Sequence, residues 1–203
     1  MVFRKKFSFK KAVSRVVVYA TAMGVYRLDV NGIKAGDRYF APGFTSYKHT
    51  LQYQTYDVTA LAEENTEFVF TVAGGWAVGS FVFTRANRIS ADRQALLAEI
   101  RVKYADGTEE VFGTGTDWQV SEGGNWLEAD LYDGEVYDAS ADINNNVWRS
   151  ATIERLKINP EIIAETGSPV RAHEVFSPIS CTKRADGELI YDFGQNFAGV
   201  IRA

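Results

Sequence analysis

The chain is poor in the residues that staple or metallate small folds. It has one cysteine, Cys181, and two histidines, His49 and His173, in 203 residues. A single thiol excludes an internal disulfide and a cysteine-based zinc site. The two histidines are too few and too far apart for the common zinc motifs. Charge of either sign is scarce in excess: the net charge is −4. A mildly acidic chain has no electrostatic reason to hold a polyphosphate, which argues against a nucleic-acid partner. No uncharged run approaches the length of a membrane span. No helical period long enough for a βαβ unit is seen, and there is no repeat or low-complexity tract. A chain of this size buries roughly 70% of its unfolded surface, so it folds without a metal or a disulfide.

What is present is aromatic and alternating. Phe and Tyr number 13 and 10, and such residues favour strands. Phe3, Lys5, Phe7 and Phe9 begin a period-two pattern. Val16-Val17-Val18-Tyr19 is a β-branched run, separated by Gly24 from Val25–Val30. Asn31-Gly32 predicts a two-residue hairpin turn, since both positions accept positive φ. Gly36-Asp37 marks another turn. Strands are predicted over 51–56 and 67–72, with a capped helical turn over 57–61 between them. Residues 95–104 and 108–112 form a second predicted hairpin across Asp106-Gly107. Shorter strands are predicted at 118–120, 126–131 and 147–153. Strands at this spacing, with turn residues between them, predict an all-β, antiparallel β-sandwich of jelly-roll type with little helix.

The composition shifts near Ile158-Asn159-Pro160. Strands resume at 170–176 and 188–193, after Thr166-Gly167-Ser168-Pro169. Residues 1–160 are therefore assigned to one sandwich, and 161–203 to a linker and the first strands of a following module. That piece either completes the first sandwich or opens a second domain. An unpaired Tyr191-Phe193-Phe197 face would be an exposed apolar patch, so packing of 164–203 on the first sandwich is expected. No signal-peptide core follows Met1. The apolar end Val200-Ile201-Arg202-Ala203 is expected of a piece of a longer protein, and neither end indicates a compartment.

Several clusters carry candidate chemistry. Glu128, Asp130, Asp133, Glu135 and Asp138 would serve as a glycosidase pair or as calcium ligands. The ordinary alternative is a turn at Asp133-Gly134 with the other carboxylates capping backbone or pairing with arginine. Ala73-Gly74-Gly75-Trp76-Ala77-Val78-Gly79 lacks the Lys-Ser/Thr of a phosphate loop. It reads either as backbone kinked around an indole that offers a platform to a sugar, or as a core Trp at a strand end. Asn144-Asn145-Asn146 is a metal- or sugar-binding loop or a solvated turn. Arg85, Arg88 and Arg93 would grip a carboxylated glycan or simply pair within their loop. No Gly-x-Ser-x-Gly elbow exists. Cys181 is expected as a buried, inert thiol.

A series of motifs in order resembles the N-terminal β-sandwich module of bacterial α-L-rhamnosidases. They run Ala22-Met23-Gly24-Val25-Tyr26, Val30-Asn31-Gly32, Gly36-Asp37, Ala41-Pro42-Gly43-Phe44-Thr45-Ser46-Tyr47 and Gln52–Thr59. Gly75-Trp76, Asp92-Arg93, Tyr104–Gly107 and Thr116-Asp117-Trp118 continue the order, followed by Asp130-Leu131-Tyr132-Asp133-Gly134-Glu135-Val136-Tyr137-Asp138-Ala139. Tyr191–Gly199 looks like the start of a second, lectin-like module. Two positions depart from the pattern: Gly74 replaces a polar residue before Gly75-Trp76, and Phe44 replaces a tryptophan.

The resemblance implies a non-catalytic accessory module. Similar full-length enzymes hydrolyse terminal α-L-rhamnose with inversion, using acids on a downstream (α/α)₆ barrel for which this chain has no room. That barrel is the implied partner, no catalytic residue is expected here, and the acidic cluster becomes scaffold. Some related modules bind rhamnose through calcium. The implied alternative is therefore a calcium-dependent rhamnose-binding module, with Asp37, Arg38, Trp76 and Asn87 as its rim and L-rhamnose or rhamnosylated glycans as ligands. No cofactor is required by the accessory reading and no metal ligand is assigned.

Overall fold

A computed structural model describes residues 1–81 and 86–201. The chain divides into two compact units, Met1–Pro169 and Val170–Ala203. The first contains β1 (Val2–Ser8), β2 (Val13–Met23), β3 (Val25–Val30), β4 (Ile33–Lys34), β5 (Arg38–Tyr39), β6 (Thr50–Asp57) and β7 (Asn65–Ala73). It continues with α1 (Gly75–Val78), β8 (Ala95–Tyr104), β9 (Glu109–Gly113), β10 (Gln119–Ser121), β11 (Trp126–Asp130), β12 (Gly134–Tyr137), β13 (Arg149–Ser150) and β14 (Glu161–Ala164). The second contains β15 (Val170–Arg171), β16 (Ser180–Lys183) and β17 (Leu189–Asp192).

Two sheets make the sandwich of the first unit. One has the order β13-β10-β1-β7-β3-β4 and the other β14-β6-β2-β8-β9, while β11 and β12 form a separate hairpin. Alternation builds the core. Thr66, Phe68, Phe70 and Val72 of β7 point inward, as do Tyr26, Leu28 and Val30 of β3 and Ala98, Ile100 and Val102 of β8. Period two puts each set on one face of its strand. Phe68 and Phe70 are fully buried, each worth roughly 2–3 kcal/mol of apolar transfer. Trp118 packs beside Phe70, their ring centroids 5.9 Å apart.

The turns follow the local residues. Asn31 and Gly32 take φ of 51° and 78° between the paired Val30 and Ile33, as the hairpin signal requires. Gly107 does the same at φ 84° between β8 and β9, where Asp106 accepts the Thr108 N–H at 2.9 Å. The turn predicted over 57–61 is a 3₁₀ turn at Thr59–Leu61. Its N-cap, Val58, has no side-chain cap, and the Asp57 carboxylate instead takes the Thr59 N–H and O–H.

Other expectations need correction. The predicted strand over 147–153 contracts to Arg149–Ser150, and that over 170–176 to Val170–Arg171. Glu161–Ala164 is a strand that the Pro160 boundary obscured, and it runs parallel to β6, with Ile162 opposite Leu51. Trp76 stands on a single helical turn, not at a strand end. Cys181 is exposed rather than buried, because it lies on the β16–β17 hairpin of the second unit, opposite Tyr191. A two-stranded hairpin has no facing sheet of its own to cover it.

Candidate functional site

The site is built around α1. A smaller core of Met23, Tyr47, Leu51, Ala77 and Val78 supports it, and Trp76 packs against this cluster. Gly75 opens the turn at φ 53°, where a Cβ would stand 2.7 Å from the Val25 backbone nitrogen. The close approach of α1 to β3 thus requires glycine there. Around the indole stand Phe40, at 6.2 Å between ring centroids, and Phe44, at 6.0 Å. Phe44 stacks on Phe81 at 5.7 Å, and Phe81 meets Tyr132 at 6.3 Å. Three separate segments therefore contribute one run of rings. Its exposed members include Phe40, Phe44 and Tyr132.

The acidic cluster holds this arrangement in place. Asp130 Oδ2 accepts the Ser80 N–H at 2.7 Å, and Asp133 Oδ2 accepts the Ser80 hydroxyl at 2.5 Å. Asp130 Oδ1 takes the N–H groups of Tyr132 and Asp133. Glu135 accepts the Trp126 indole N–H, and Asp138 caps Ser140. The two Ser140 hydrogen bonds hold the Asp138 carboxyl below its usual range. These carboxylates bind backbone and side chains of their own hairpin and of the loop after α1, which is scaffold chemistry. Among the described residues, no group of three or more His, Cys, Asp or Glu is placed to hold a metal ion.

The four rim residues have different surroundings. Arg38, on β5, pairs with Glu165 at 2.5 Å and lies over the Tyr56 ring at 5.1 Å. Tyr56 in turn donates to the Tyr26 hydroxyl, which reaches Gln54. Trp76 belongs to the aromatic run. The side chains of Arg38 and Trp76 thus join different partners. Asp37 is exposed in the bend before β5, and Asn87 is exposed just after the Phe81–Ala86 bridge. Arg85 lies outside the described residues. Arg88 has φ 53° and donates its N–H to Val78, while Arg93 pairs with Asp92 and Glu154. Sequence reasoning missed the Phe40–Phe44–Phe81–Tyr132 run. Its only signal was the density of aromatics in three separated loops.

The fold and site define an all-β sandwich module with an exposed aromatic run beside a clamped acidic hairpin. The family model of the α-L-rhamnosidase N-terminal domain matches residues 11–182, and this chain belongs to that family. It is 35% identical over 201 residues to an α-L-rhamnosidase of Streptomyces avermitilis, covering 95% of this chain and 19% of that protein. The crystal structure of the Streptomyces avermitilis α-L-rhamnosidase complexed with L-rhamnose superposes with a TM-score of 0.85 at 34% identity, over 96% of this chain and 20% of that one. The α-L-rhamnosidase of Dictyoglumus thermophilum gives 0.82 at 29% identity, over 97% and 22%. The chain spans about a fifth of the length of the curated relatives it matches. Among the described residues no helix is long and apolar enough to cross a membrane.

Proposed function

We propose that this chain is a non-catalytic accessory module of an α-L-rhamnosidase. Its role is to pack on and support a downstream (α/α)₆ barrel that removes terminal α-L-rhamnose with inversion. The observation that carries this reading is the family match over 11–182, combined with relatives several times longer. The use of Asp130 and Asp133 as loop clamps agrees with it, since a catalytic pair must face an open cleft. The test is hydrolysis of an aryl α-L-rhamnoside by this chain alone. No turnover is expected; turnover that disappears in Asp130→Asn or Asp133→Asn would overturn the reading.

A second reading is favoured by the exposed rings around Trp76 and by the L-rhamnose complex of the Streptomyces relative. In it, this module binds rhamnose or rhamnosylated glycans, with calcium. Calorimetric titration with L-rhamnose, in calcium and then in chelator, separates the two. Heat that vanishes with chelator supports the binding module, and its absence from folded protein supports the scaffold.

A further inference from the structure

Beside Trp76 lies a cleft of about 280 Å³, lined in part by Phe44, Tyr47, Trp76, Phe81 and Ile89 and by the exposed Lys48. We propose that this cleft binds a planar aromatic ring carrying a carboxylate. The proposal goes beyond the accessory reading and does not depend on it.

The apolar part of the lining is four rings and one branched aliphatic chain. Phe44 is 61% exposed and Ile89 51%, so apolar surface at this cleft remains in water that a ligand ring would displace. The Phe44 and Phe81 rings are stacked at 22°, while Trp76 stands at 63° to Phe44. A flat ring entering here meets both faces and edges, the arrangements aromatic pairs favour. An apolar cavity of roughly 150 Å³ takes a benzene ring, so the cleft has room for one ring and a substituent.

The walls are also held before any ligand arrives. Tyr47 is buried and its hydroxyl is already donated to Gly43 at 3.0 Å, so it presents only ring. Burial raises the Tyr47 phenol far above its ordinary value, which keeps that hydroxyl protonated. Trp76 is packed on the smaller core, and Ser80, next to Phe81, is clamped by two carboxylates. A preorganised wall spares the ligand the cost of ordering it. The polar lining residues are Thr45, Ser46, Ser90 and the exposed Lys48, and the Thr45 hydroxyl is already donated to the Thr50 carbonyl at 2.6 Å. A ring with one anionic group is well served, because its ring meets apolar wall while its charge meets the ammonium.

The test is titration of the 203-residue protein with benzoate at constant ionic strength, read by ¹H–¹⁵N NMR. Phenol and cyclohexanecarboxylate are the comparators. Saturable shifts are expected at Lys48 and Ile89 with a Kd on the order of 1–10 mM, weak as befits one ring. Phe44→Ala should weaken benzoate about three- to tenfold, the worth of one aromatic pair. Lys48→Ala should weaken benzoate about threefold and leave phenol unchanged, as for an exposed charge pair. Both side chains are exposed, so both variants keep the fold. The proposal is overturned if no saturable shift occurs below about 20 mM. It is equally overturned if Phe44→Ala binds like the parent, or if either comparator binds as tightly as benzoate.

Discussion

Asp130 takes the backbone N–H of Ser80 at 2.7 Å across 50 residues of chain. This one bond ties the tip of the β11–β12 hairpin to the loop after α1, and it brings Tyr132 to Phe81. Gly79 is part of the same contact. A Cβ there would stand 2.5 Å from Asp130 Oδ2 and 2.6 Å from the Gly75 carbonyl.

Asp130→Ala should therefore cost about 1–3 kcal/mol, because it strands the N–H of the buried Ser80. Gly79→Ala should be destabilising for the steric reason. Gly113→Ala is the control, since the nearest atom to its Cβ is 3.9 Å away. Urea midpoints of the three variants check this. Equal midpoints for Gly79→Ala and Gly113→Ala would refute the clamp.

The buried hydroxyls of the sandwich predict an alkaline limit. Burial raises the phenol of Tyr26, with a further rise from the neighbouring Tyr56, and burial raises Tyr56 too. Tyr104 is pushed up to about 12 by burial and by the Glu110 carboxylate that accepts its O–H. In the unfolded chain these phenols ionise near pH 10. Above that pH the unfolded state binds fewer protons than the native state, so stability falls as pH rises. Melting temperature should be flat from pH 7 to about 9 and drop beyond 10, with a smaller drop in Tyr104→Phe. An unchanged drop in that variant would remove Tyr104 from the account.

Tyr26 also joins the two sheets through its hydroxyl, which meets Gln54 Oε1 at 2.9 Å and accepts from Tyr56 at 3.1 Å. Gln54 is fully buried and spends its amide N–H on the Pro42 carbonyl. Tyr26→Phe should cost roughly 1–3 kcal/mol, since Gln54 keeps an acceptor without a donor. Denaturant unfolding reads the loss. The double variant Tyr26→Phe/Gln54→Leu should lose less than the two single losses added.

Arg38 and Glu165 form a half-buried pair, with side chains 16% and 21% exposed. Breaking either partner should cost about 1–3 kcal/mol, more than an exposed pair would. The double variant Arg38→Met/Glu165→Gln should recover part of that loss. A double-mutant cycle with coupling near zero would show that Arg38 is held by the Tyr56 ring alone.

Cys181 should react quantitatively with a water-soluble thiol reagent in the native protein, without denaturant, because its side chain is exposed on the hairpin. Protection until unfolding would contradict that placement.

The sequence by itself determined the strands and their turns. Alternation in 66–72 and 98–104, together with Asn31-Gly32 and Asp106-Gly107, is written in neighbouring residues, and the backbone obeys it through local sterics and period two. The ordered motifs also identified the family. Tertiary structure alone decided the rest. That β14 pairs parallel to β6 depends on a crossover of about a hundred residues. No local pattern encodes such a closure. The roles of Asp130 and Asp133 were open in the sequence because a carboxylate reads alike as acid, ligand or cap. Only the approach of Ser80 from 50 residues away made them clamps. The same holds for the rings at 40, 44, 76, 81 and 132. Only Trp76 reads as a platform in the chain, and the other four rings join it as one surface because three separate segments converge beside α1.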